Sequence, residues 1–195
     1  SQPTLFSSLL GQRMNVSTWS DLYEEALLDL IVLGPSRADT TEQRRAKIKQ
    51  VTVEMIGLGS PDKQHPAKDS KVKFRNQGEY FYYQYAMKRC VPALELLNDK
   101  LLNGPSFISF HEAKIMQLTL EALAAEGVPA YPVHDCVIVQ KRHHDLAVTT
   151  YRQTIRDYVL DYNRKTKVRP VDMTIPVSIE EHDKVKERME GYYHS

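Results

Sequence analysis

The chain is poor in cysteine, has no long apolar run and carries no excess of charge of either sign. It also lacks internal repeats and low-complexity tracts. Its 195 residues hold two cysteines, Cys90 and Cys136. That is too few for the disulfide framework of a small secreted domain, so a reducing compartment, the cytoplasm, is expected. Apolar runs such as Ala26-Leu27-Leu28 are broken by charge within a few residues, and none approaches the roughly 18 residues of a membrane span. No membrane partner is expected. Lys and Arg number 26 against 25 Asp and Glu, a formal charge of +1. This excludes a uniformly basic nucleic-acid coat but leaves room for a local basic lobe. The chain opens on Ser1, and is expected to be processed or cut from a longer protein.

What is present is ordinary globular material, 42% apolar and 26% charged, in a length that suits one large domain or two lobes. A helix is predicted from Ser20 or Asp21, with Leu22, Ala26, Leu27 and Leu30 on one side, ending at Gly34-Pro35-Ser36. Thr40 or Thr41 is placed to cap the next element. Its nature is ambiguous: Val51, Val53 and Met55 alternate like a strand, whereas Arg45, Lys49, Val53 and Gly57 share a helical face. Between Thr41 and Arg75 stand nine Lys or Arg against four acids, either a solvated charged face or a polyphosphate surface. Ser60 to Gln77 reads as a polar loop without apolar anchors, and Arg44 to Arg75 as a mobile element outside the rigid core.

Further on, Glu79 to Leu102 has helical periodicity, with Pro92 placed to kink or restart it. The aromatics Tyr80, Phe81, Tyr82, Tyr83 and Tyr85 suit either core packing or base stacking. Phe107 to Glu126 is the clearest helix and stops at Gly127. Two short apolar strands follow, with His134-Asp135 between them as a tight turn. A helix over His143 to Tyr162, a strand over Met173 to Ile179 and a charged helix over Glu180 to Glu190 complete the prediction.

Chemistry concentrates at the turn. An aspartate between Val133 and Val137 must have its charge compensated, either by an Asx turn or by a hard divalent cation such as Mg²⁺. His143 and His144 read as surface residues at a helix start, and Cys136 as a packing residue.

The order helix, glycine, strand, Val133-His134-Asp135-Cys136-Val137-Ile138-Val139, helix resembles motif C of the family A DNA polymerases and of the phage-type single-subunit RNA polymerases. The His-Asp-Cys form is especially similar to the RNA polymerase branch. Other segments follow in collinear order. Ser1 to Gly11 is similar to the residues just after the motif A aspartate. Asp21-Leu22-Tyr23 resembles the Asp-aromatic dipeptide between motifs A and B. Arg45-x3-Lys49 matches the opening of motif B, and Met173 to Ile179 resembles the last palm strand. In this register the motif A aspartate lies upstream of Ser1, on a segment or subunit outside this chain. Thr4 takes the place of the glutamate that excludes ribose in the DNA polymerases. Val53 and Gly57 replace the motif B aromatic and tyrosine.

The resemblance implies an α+β fold: a helix-rich fingers lobe (21–105) on a small antiparallel palm sheet (1–20 and 106–195) that carries the His-Asp β-hairpin. It implies template-directed nucleotidyl transfer in nucleic-acid synthesis, with primer-template and nucleoside triphosphates as partners and Mg²⁺ as cofactor. Asp135 and Ser1 would lie at the metal, Ser1 and Gln2 through main-chain contacts, with His134 near the primer end. Arg45 and Lys49 would neutralise triphosphate charge, and Val53, Gly57 and Thr4 would line the nucleotide. The isolated chain is expected to be inactive for want of the second aspartate. An organellar or phage origin would move the setting to a mitochondrion or nucleoid. Two other readings stay open. One is a non-catalytic polymerase-like module that binds nucleic acid or a protein. The other is a metal-dependent hydrolase using His134, Asp135, and His143 or His144, with further ligands such as His111.

Overall fold

A computed structural model describes residues 2–15, 22–24, 26–27, 39–68, 70, 72–98, 103–133 and 136–171. Five helices can be bounded among them: α1 (Gln2–Leu9), α2 (Thr41–Leu58), α3 (Gln77–Cys90), α4 (Gly104–Ala125) and α5 (His144–Thr166). A 3-10 segment, Pro92–Asn98, follows α3, and strands β1 (Ala130–Val133) and β2 (Cys136–Val139) join α4 to α5. The class is α+β, helix-rich with a two-stranded antiparallel sheet. No helix among the described residues is long and apolar enough to cross a membrane. The expected strand over Met173 to Ile179 and helix over Glu180 to Glu190 lie outside the described residues.

Local chemistry explains where the helices begin and end. Thr40 closes a capping box on α2: its hydroxyl accepts the Gln43 backbone N–H, and Gln43 accepts the Thr40 N–H at 2.8 Å. Gly59 ends α2 at φ +61°, the left-handed cap that glycine adopts without a Cβ clash. The ambiguity over Val51 to Met55 resolves as helix, with Val51 and Met55 buried and Val53 turned outward. Asn76 caps α3, and Pro92 converts the chain after Cys90 into the 3-10 segment.

Three apolar clusters position everything else. Ile48, Val51 and Met55 of α2 pack with Tyr80, Tyr83 and Met87 of α3, Leu94 of the 3-10 segment and Ile108 of α4. Leu5 and Leu9 of α1 pack with Ile115 of α4 and with Ile155 and Val159 of α5. Phe6 belongs to the first cluster and Leu5 to the second, so α1 is wedged between them. Eight residues are too few for a stable isolated helix, and α1 is buried from Pro3 to Leu9; its helicity comes from this packing. Leu123, Val128 and Ala147 back the sheet through Ala130, Val137 and Val139.

The expectation of an unanchored loop over Ser60 to Gln77 is corrected. Phe74 packs edge-on against Tyr80 at 5.0 Å and Tyr83 at 6.0 Å. The Glu54 carboxylate accepts Lys63 Nζ and the Ala67 backbone N–H, each at 3.2 Å. One aromatic ring and one buried carboxylate tie this loop to α2 and α3, anchors that leave no periodic trace in the sequence.

Candidate functional site

Four of the expected nucleotide-contacting positions recur every fourth residue on α2, where the helical period puts them in one row. The structure turns the row outward from Lys49 onward. Arg45 is half-buried, Lys49 and Gly57 are exposed, and Val53 is 53% exposed. The other side of the helix carries Ile48, Val51, Thr52, Met55 and Ile56 into the core. Arg45 to Gly57 spans about 18 Å at 1.5 Å per residue. The Arg45 guanidinium stands 5.6 Å from the centre of the Tyr23 ring. A Cβ built on Gly57 would meet nothing within 4 Å, so the row ends in open space.

The neighbouring lysine has the opposite fate. Lys47 is 5% exposed, and its ammonium contacts Asp39 at 2.6 Å and Glu79 at 2.7 Å. Arg75 joins the same network through Asp39 at 3.2 Å, and its backbone N–H donates to Glu79 at 2.6 Å. Part of the positive charge counted between Thr41 and Arg75 is therefore spent internally, and the basic face is narrower than composition implied.

The second expected element is the hairpin. β1 and β2 pair antiparallel with Ala130 opposite Val139 and Val133 opposite Cys136. His134 and Asp135, between the paired ends, lie outside the described residues, as does Ser1. Cys136 is exposed, which corrects its reading as a packing residue: the inward positions of β2 are Val137 and Val139. Thr4, expected at the nucleotide, is 2% exposed inside α1, where its carbonyl accepts the Ser8 hydroxyl at 3.0 Å. Gln2 donates from Nε2 to Glu112 Oε2 at 2.9 Å, tying α1 to α4.

The histidines of the hydrolase reading have separate partners. The His111 ring is buried in α4 with Nδ1 2.6 Å from Tyr158 Oη, and Phe107 and Tyr162 meet it edge-on at 4.3 and 4.6 Å. Burial pushes its pKa below the ordinary histidine value. His143 Nε2 accepts from Arg142 at 3.0 Å, and His144 Nδ1 lies 2.8 Å from Asp145. Among the described residues no group of three or more His, Cys, Asp or Glu stands close enough to hold a metal. The Mg²⁺ expectation rests on Asp135 and Ser1.

Sequence reasoning missed Glu54. Its carboxylate accepts Tyr80 Oη at 2.7 Å and Gln50 Nε2 at 2.8 Å, besides the two loop donors. The available signal was an acid on the apolar side of α2, one residue before Met55. No family model, curated protein or solved structure matches the chain.

Proposed function

We propose that this chain is the fingers-and-palm portion of a family A-like template-directed nucleotidyltransferase, with residues 21–105 fingers-like and 1–20 and 106–195 palm-like. The reaction is in-line attack of a primer 3′-oxygen on the α-phosphorus of a nucleoside triphosphate. The new P–O bond forms as the bond to the β-phosphate oxygen breaks, the 3′-hydroxyl proton is lost and pyrophosphate leaves. Lys49 and Arg45 neutralise the triphosphate. By resemblance, Asp135 supplies a metal carboxylate and His134 sits near the primer end. Magnesium, in that family, offsets charge on the attacking and leaving oxygens.

The observation that carries the reading is the outward row on α2. An arginine and a lysine one helical turn apart, followed by a helical glycine with open space above it, suit a polyphosphate and a planar base. Packing needs none of Lys49, Val53 or Gly57 in the core, so their outward identity is available for binding. The strand pairing on either side of His134-Asp135 agrees with the resemblance.

Binding of Mg²⁺-nucleoside triphosphate to the chain and to its Arg45→Ala and Lys49→Ala variants is the test. Each variant is expected to weaken binding by roughly tenfold or more, since a hydrogen bond to a charged group is worth about 1.5–3 kcal/mol. Unchanged affinity in both variants would remove the reading. The replacement of the family's motif B aromatic and tyrosine by Val53 and Gly57 favours, as a second reading, a polymerase-like module that binds nucleic acid without catalysis. Primer-template retention across a salt series with no nucleotide incorporation supports it.

A further inference from the structure

Helix α3 divides its aromatic residues between two surfaces. Tyr80 and Tyr83 face the core, whereas Phe81, Tyr82 and Tyr85 are 40%, 39% and 50% exposed. Phe81, Tyr85 and Arg89 follow one another at the four-residue spacing that stacks side chains in a row on a helix. The Arg89 guanidinium lies 6.0 Å from the Tyr85 ring centre, within cation–π range. Beside Phe81 and Tyr85 an open cavity of about 310 Å³ is completed by Asp62, Gln64, Gln84 and Lys88. Two rings thus border a recess whose other walls carry amide, carboxylate and ammonium groups.

We propose that this face binds an unpaired nucleobase of a single-stranded nucleic acid, stacked on Phe81 and Tyr85 with its polar edge toward the exposed Gln64 and Asp62. Exposed rings in a row beside a cation are the arrangement by which single strands are held without sequence readout. The charges here argue for bases over phosphates as the main grip. Lys88 pairs with Asp62 at 2.7 Å and Glu95 at 3.3 Å, so the patch has little net positive charge. A protein-binding face is the rival occupant. It is disfavoured because the recess is walled mostly by hydrogen-bonding groups. The proposal deepens the polymerase reading, in which a template strand must present unpaired bases. It uses none of the α2 residues assigned to the triphosphate.

The test is fluorescence anisotropy with a labelled twelve-nucleotide oligothymidine, an abasic oligomer of equal length and a blunt duplex. Oligothymidine is expected to bind at least tenfold tighter than the abasic strand, with a shallow dependence on salt. Phe81→Ala and Tyr85→Ala should each weaken it about five- to a hundredfold, with Phe81→Tyr restoring most of the loss. Both positions are exposed, and circular dichroism is the check that the variants fold. Triphosphate binding should be unaffected by these variants, whereas Lys49→Ala should affect it alone. Equal binding of abasic and base-bearing strands overturns the proposal, as does indifference to the two alanines. Loss of self-association in Phe81→Ala without any oligonucleotide binding also overturns it, in favour of a protein contact. If oligothymidine binds through Phe81 while triphosphate affinity ignores Arg45 and Lys49, the polymerase reading falls and this one stands.

Discussion

Tyr80 of α3 donates its phenolic hydrogen to Glu54 of α2 across 2.7 Å, inside the core. That contact locks the two helices together and orients the carboxylate that also holds the 60–68 loop through Lys63 and Ala67. Tyr80→Phe removes a hydrogen bond to a charged group, so a loss of about 1.5–3 kcal/mol is expected in urea unfolding. Glu54→Ala should cost more, because it leaves a buried phenol and the Ala67 N–H without their acceptor. It should also speed amide exchange at Ala67, a change that Tyr80→Phe does not share.

Stability should fall with acid in two separable stages. Burial pushes His111 below its ordinary value of 6.5. The unfolded chain therefore takes up this proton first as pH drops through 6.5, and native stability declines from there down to the folded value. For Glu54, burial alone would raise the carboxyl. The hydrogen bonds from Gln50, Tyr80, Ala67 and Lys63 outweigh it and hold the group below 4.5. Its contribution is present above pH 4.5 and is lost as pH falls through the folded value. Unfolding free energies between pH 8 and 3 should show both limbs. His111→Phe should flatten the upper limb alone, and Glu54→Gln the lower alone. A profile unchanged in either variant would remove the corresponding assignment.

Two glycines should respond to alanine with opposite signs. Gly57 lies inside α2, and a Cβ added there would have nothing within 4 Å, so Gly57→Ala should stabilise by about 0.5–1 kcal/mol. Gly104 starts α4 where a Cβ would lie 2.4 Å from Leu97 Cδ2, and Leu97 is itself buried. Gly104→Ala should therefore destabilise by about 1–3 kcal/mol through overpacking. Thermal melts of the two variants side by side decide it.

Which features are legible in the sequence follows from what periodicity can encode. α4 is legible to within a few residues because its apolar spacing persists for five turns and Gly127 follows it at φ +70°. The pairing of β1 with β2 is legible for a similar reason, two apolar runs separated by two polar residues. The alternation over Val51 to Met55 points equally to a strand because two periods coincide over five residues, and only the tertiary environment of Val53 separates them. Anchors made by single side chains are invisible. Phe74 sits alone among polar neighbours, and His111 reads as a ligand candidate until the rings of Phe107, Tyr158 and Tyr162 are seen around it. Likewise the acids that take up Lys47 come from positions 39 and 79, too far apart in sequence for a charge count to pair them.

Lys47 and Lys49 lie two residues apart on α2, and their substitutions should fail in different assays. Lys47 is enclosed by Asp39 and Glu79, so Lys47→Ala removes the buried ammonium from between two carboxylates and leaves only Arg75, at the exposed side of Asp39, to offset them. Breaking a buried pair from one side typically costs about 3–5 kcal/mol, and the variant should melt early and bind triphosphate poorly only in proportion to its unfolded fraction. Lys49 is exposed. Its substitution by alanine should leave the melting temperature within a degree or two, as surface changes usually stay within about 0.5 kcal/mol, while triphosphate affinity drops. Measuring both quantities on both variants separates a structural lysine from a ligand-binding one. If Lys49→Ala leaves triphosphate binding intact and the folded fraction of Lys47→Ala binds weakly, then the cation that matters is the internal one, and the outward row on α2 is a solvated face.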